Sequence, residues 1–110
     1  MEGAQARIVE EVGSWPGVDV RPHRFGGVEF VIGRRELGHL HGDTLADMPF
    51  TRAQRDELLA ARMATRHHVL PDSGWVSRRI RGEDDVAAVI GLLRRQYERA
   101  LAKRRALSEL

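Results

Sequence analysis

The segment GEDDVAAVIGLLRRQYERALAKRRA, beginning at Gly82, constrains the fold of this chain more than any other. Val86, Val89, Ile90, Leu93, Tyr97 and Leu101 recur at spacings of three and four, which gives a helix one apolar stripe. Glu83, Asp84 and Asp85 crowd its start and basic residues crowd its end, the polarity a helix dipole favours. The spacing predicts one continuous helix from about Asp85 to Ala102. Its stripe needs a second layer to bury it.

Upstream, the period changes from helical to two. VDVRPHRF and GVEFVIG alternate apolar residues at Val18 and Val20, then at Val28, Phe30 and Ile32, so both read as strands. Gly26-Gly27 separates them, and GRRE joins the second to a returning strand, ELGHLH. Residues 2–13 read as a helix with Ile8, Val9 and Val12 on one side and a break at Gly13. Thr51 followed by Gln54 is a capping box, so another helix starts there, with Leu58, Leu59 and Met63 inward. Pro71 to Gly74 is turn chemistry, and WVSRRI after it is a short strand. The order is α-β-β-β-α-β-α. The expected fold is a single α+β domain over residues 1–110, a small, mostly antiparallel sheet with helices packed on one face.

Composition narrows the function classes. The chain has 110 residues, 42% of them hydrophobic and 31% charged, as expected of an ordinary globular domain. It has no cysteine, so thiolate chemistry and disulfides are excluded and His and carboxylates are the metal ligands on offer. The N-terminal residues show no signal-peptide pattern and no apolar run approaches a membrane span, so a cytoplasmic protein is expected. Net charge is +2, with the basic excess after residue 50. That supports only weak association with polyanions.

The histidines are the main chemical feature. In a strand, residues two apart share a face, so His39 and His41 project side by side about 7 Å apart. Asp43 keeps the same parity if the strand continues. Leu37 shares it too, which would make that face partly apolar. The pair could supply two imidazoles to a metal, with a third from His67, His68 or His23. It could equally line a polar cleft, or be hydrogen-bonded structure. No third ligand stands at a fixed spacing, so no bound cofactor is expected. A divalent metal, if one binds, would take His39, His41 and one of His67 or His68, leaving a position open for water.

Other residues are weaker signals. Ser73 lies in a Pro-Asp-Ser-Gly turn, not on a nucleophile elbow, and Asp72 is the expected cap of that turn. Trp75 opens a strand, where an aromatic usually buries; it could instead wall a pocket opposite His67 or His68. Arg95, Arg99 and Lys103 form one helical stripe that could meet phosphates, but no aromatic residues interleave with it. No phosphate-binding glycine loop and no carboxylate pair stands out.

ELGHLHGD, HHVLPDSGWVS and LLRRQYERAL together resemble the small bacterial proteins filed as luciferase-family or DUF5519 domains, from about Gly27 to Leu101. More distantly, HVLPDSGWVSRRIRG with the helix after it is similar to the end of the MmcQ/YjbR-like proteins. Those have a compact α+β fold and are often labelled DNA-binding. Both resemblances imply the architecture above. Neither brings a flavin or luciferin signature, so light emission is not implied.

Three functions follow. The first is a non-catalytic module that binds a small molecule or protein in a cleft lined by His39, His41, His67, His68 and Trp75. The second is a metal-dependent enzyme using His39 and His41. The third is a weak nucleic-acid binder using Arg95, Arg99 and Lys103.

Overall fold

The computed structural model describes residues 1–23 and 26–110. Helix α1 spans Ala4–Gly13, followed by β1 (Val18–Pro22), β2 (Val28–Ile32), β3 (Arg35–His41) and β4 (Leu45–Pro49). Then come α2 (Arg52–Ala60), β5 (Thr65–Arg66), β6 (Trp75–Arg79) and α3 (Glu83–Ser108). The strands form one six-stranded antiparallel sheet in the order β1-β2-β3-β4-β6-β5. The α+β class and the expected order hold, with two strands added. The expected strand VDVRPHRF runs into Arg24 and Phe25, which lie outside the described residues. Among the described residues no helix is long and apolar enough to cross a membrane.

Period-2 alternation divides the sheet. Phe30, Ile32, Leu40, Ala46, Met48 and Val76 are buried in a common core with α1 and α3. Helix α1 contributes Ala4, Ile8 and Val12, while Val9 is only partly buried. Helix α2 starts at the expected capping box, where Thr51 Oγ1 accepts from Gln54 N at 3.1 Å. It buries Leu58 and sits beside α3, its Gln54 Oε1 accepting from Arg99 at 3.0 Å.

The buried stripe of α3 is rotated from the expected one. Its fully buried positions include Leu92, Leu93, Gln96 and Tyr97, whereas Ile90 and Leu101 are partly buried. Gln96 is included because its Nε2 donates to the Pro49 carbonyl at 2.7 Å, a bond an apolar residue could not supply. Tyr97 stays near the surface end of the core and donates to the Pro16 carbonyl at 2.7 Å. The acids at the helix start also cap it directly. Asp85 Oδ2 accepts from the amides of Arg81 and Gly82.

Strand β3 contains the irregularity that matters most. Phe30 pairs with Gly38 and Val31 with Glu36, so Leu37 is an extra residue with no partner across β2. A bulge of this kind shifts side-chain parity. Leu37 therefore enters the helix-side core, where it is fully buried, and does not share a face with His39 as its number suggests. Gly38 follows on the same side. A Cβ there would lie 2.9 Å from Leu93 Cδ2 and 2.8 Å from Met48 Cγ, so glycine lets α3 press on this strand.

Leu93 is thus the residue through which α3 supports β3. Truncating it to alanine removes buried methyl groups from a site backed by strand, and should cost about 2–5 kcal/mol in urea unfolding. A loss below roughly 0.5 kcal/mol, typical of surface positions, would contradict this packing.

Candidate functional site

The sheet face away from α1 and α3 carries the polar residues. The parity shift puts Glu36 with His39 and His41 on β3; Asp47 of β4 pairs with His39, and Ser77 of β6 pairs with Asp47. The segment after β5 brings His67 over them, and His23 follows the end of β1. All of these except Ser77, together with Pro22, Glu29, His68, Val69, Leu70 and Trp75, line a pocket of about 680 Å³.

Asp47 is its centre. The residue has no solvent exposure. His41 Nε2 donates to its Oδ2 at 2.8 Å, and the Nε2 atoms of His39 and His67 lie 3.3 and 3.4 Å from the same oxygen. Ser77 Oγ donates to Oδ1 at 2.5 Å. A carboxylate can only accept, so each imidazole directed at it presents an N–H. Burial alone would raise the Asp47 carboxyl, but hydrogen bonds from His39, Ser77 and His41 hold it well below its usual range.

His39 lies between two acids. Its Nδ1 meets Glu36 Oε2 at 2.8 Å while its Nε2 faces Asp47. Burial opposes its charge, yet hydrogen bonds to Asp47 and Glu36 push it up to about 9, so it is an imidazolium at neutral pH. His23 stacks on it with ring centres 4.1 Å apart. Burial, followed by the charge of His39, lowers His23.

His67 differs from both. Its Nδ1 accepts the amides of Val69 and Leu70, each at 3.1 Å. A neutral ring so held carries its proton on Nε2, directed at Asp47. Burial lowers its pKa, which favours that neutral form.

Each residue singled out from the sequence has a definite place. His39 and His41 share a face, their rings edge to face at 4.9 Å. His67 joins them, and His68 stacks on His67 at the exposed rim. Trp75 is not core. It is half-buried and walls the pocket, 5.4 Å from the His39 ring and 5.8 Å from that of His67. Asp43 is absent from the site because β3 ends at His41 and the chain turns at Gly42. Its carboxylate instead accepts the amides of Gly3 and Gln5 and caps α1. Ser73, not Asp72, bonds the 70–74 turn, donating to the Leu70 carbonyl at 2.6 Å and accepting from Trp75 N at 3.2 Å.

The basic stripe divides. Arg95 approaches Met63 Sδ and Arg99 bonds Gln54. Arg99 and Lys103 line a separate hollow with Arg34, Arg35 and Arg104 near the β2–β3 turn.

The sequence did not bring together Asp47, Glu36 and Glu29. No carboxylate pair was visible in it, yet these three line one pocket. The available signal for Asp47 was the alternation Ala46-Asp47-Met48 after the glycine turn, which makes a short strand with its acid on the histidine face.

His39 should titrate in metal-free protein with a midpoint near pH 9, followed by its ring proton NMR signals, and Glu36→Gln should lower that midpoint. Its raised pKa means the stabilisation is complete below its ordinary value of 6.5 and is lost as pH rises towards 9. The thermal midpoint should therefore fall across that window, and less so in Glu36→Gln.

A family model described as Luciferase domain matches residues 34–96, more than half of the chain. That span includes β3, β4, the 67–75 segment and most of α3. No curated protein and no solved structure matches the chain.

Proposed function

Because the chain belongs to the luciferase-domain family, whose matched span includes most of the pocket, we propose that it is a small-molecule-binding module whose ligand sits over Asp47. The observation that carries this reading is a fully buried carboxylate, held by two imidazoles from β3 and a third from the segment after β5, at the floor of an open pocket. Buried ionic groups cost more than well-packed apolar residues of the same volume. The helix-side core already supplies the apolar burial, so this cluster has a use other than stability. Perturbed titrating groups in a concavity are the usual mark of a ligand site.

The pocket sets the ligand's character. About 680 Å³ suits a compact organic molecule. Trp75, Val69 and Leu70 give one apolar wall against which a flat ring can lie. Three carboxylates against the His39 imidazolium leave the metal-free centre formally negative, with the other imidazoles counted neutral. That centre favours a neutral or cationic polar end over an anionic one.

Benzamidine, benzamide and benzoate share a ring and differ in charge. In metal-free protein they should bind in that order, weakest last, and shift the His39, His41 and Trp75 NMR signals together. Trp75→Ala should weaken all three. Shifts scattered over the surface, or none at millimolar probe, would end the pocket reading.

Among the described residues nothing favours the nucleic-acid reading over this one. Arg95, Arg99 and Lys103 do not form a continuous free stripe, since two of them contact α2 or the segment after it. Duplex DNA should show no micromolar binding near physiological salt. Tight binding there, lost in Arg99→Glu and steeply salt-dependent, would reverse the ranking.

A further inference from the structure

The polar end of the pocket has the geometry of a metal site. We propose that His39 Nε2, His41 Nε2 and Asp47 Oδ2 bind a divalent first-row transition metal, open to the pocket, with Glu36 orienting His39. This rests on the pocket reading and says what the ligand's polar end meets there.

The three ligand atoms lie within 4.8 Å of one another. Two of their separations are 2.8 and 3.3 Å. Atoms bound at ~2.0–2.2 Å to one ion stand ~3.0–3.5 Å apart, so little movement is needed to admit it. Two imidazoles and one carboxylate on a single face leave the remaining coordination positions for the pocket. Glu36 accepts from His39 Nδ1 at 2.8 Å, the outer contact that metal-bound histidines characteristically make. It fixes the tautomer in which Nε2 has the lone pair once the second proton leaves.

His67 is not a fourth ligand. The amides of Val69 and Leu70 occupy its Nδ1 lone pair, so Nε2 keeps its proton. It can donate to Asp47 or to a molecule on the metal, but it cannot coordinate through Nε2 as it stands. This replaces the expected set of three histidines by two histidines and an aspartate. The alternative set of Asp47, His67 and His68 fails on the same ground.

The protons balance simply. The ion takes the place of the N–H groups now directed at Asp47 Oδ2: His39 releases its Nε2 proton to solvent, and neutral His41 carries its proton on Nδ1. By the same count the ion lowers the formal negative charge of the pocket centre by one unit, and it presents a dication at the pocket's polar end that an anionic group can coordinate directly. An anionic oxygen, such as that of a carboxylate or enolate, then becomes the favoured polar end.

The test is a Co²⁺ titration of the full chain, stripped with EDTA and dialysed, read by visible absorption, with Zn²⁺ followed by calorimetry. One ion per chain is expected, with visible bands of nitrogen-oxygen coordination. His39→Gln and His41→Gln should each weaken binding by more than about 100-fold, Glu36→Gln by about 10–100-fold, and His67→Gln by less than about threefold. Benzoate should bind better to the Zn²⁺-loaded protein than to the stripped one. Circular dichroism checks that each variant is folded; His41, 33% exposed, is the substitution least dependent on the core. The inference is overturned if Co²⁺ gives no saturable signal by about 100 µM, if Mg²⁺ binds as tightly, or if His67→Gln is as damaging as His41→Gln. Binding of benzamidine by the same stripped protein would leave the pocket reading standing even then.

Discussion

A carboxylate with no exposure to water dictates how the open face of this sheet is built. A buried charge left unpaired costs several kcal/mol, against a total stability of about 5–15 kcal/mol for a domain of this kind. Asp47 therefore cannot be tolerated unless the fold brings it donors. It has them from β3, β6 and the segment after β5, which are far apart in sequence. Proper pairing of β3, β4 and β6 and correct placement of His67 are all conditions of keeping that charge buried. The same conditions assemble the pocket. Folding and site formation are in this sense one event, because the side chains that hold Asp47 all come from elements other than its own strand.

The bulge at Leu37 lets one strand serve both layers. Without it, strict alternation from His39 would place Leu37 on the histidine face and Glu36 in the core. The core would then hold an unpaired carboxylate, and His39 would lose the partner at its Nδ1. With the extra residue, Leu37 packs in the helix-side core, Gly38 gives Leu93 room, and Glu36 returns to the open face. Packing of α3 and the protonation of His39 are thus linked through two adjacent peptide units.

Much of the fold was legible in the sequence because periodicity reports burial. The stripe of α3, the capping box at Thr51 and the β2–β3 hairpin follow from residue spacing alone. The shared face of His39 and His41 follows from the same rule. The failures have local physical causes. LADMP does not stand out as a strand, because an aspartate and a proline are poor strand formers; it pairs on both sides, with Ala46 and Met48 alternating inward. Parity alone puts Leu37 on the histidine face, which is wrong because a bulge has no period. Asp43 was expected near the histidines because nothing in the sequence shows that β3 stops at His41. Trp75 left two readings open, and only the placement of the 67–70 loop separates a buried ring from a pocket wall. What the sequence hid was therefore mostly long-range: which acid meets which imidazole.

That distinction also explains why three similar imidazoles have different chemistry. His39 has an acid at each ring nitrogen and is held charged. His67 has backbone amides at one nitrogen and is held neutral, as an N–H donor. His41 bonds Asp47 through Nε2 and is part-exposed towards the pocket. Residue type is identical in the three cases; the groups at the second nitrogen decide the role. The site is therefore an ordered set of one cation, one fixed donor and one accessible ring around a single carboxylate. Exchanging the surroundings of His39 and His67 would keep every residue of the cluster but would move the lone pair that a ligand or metal meets.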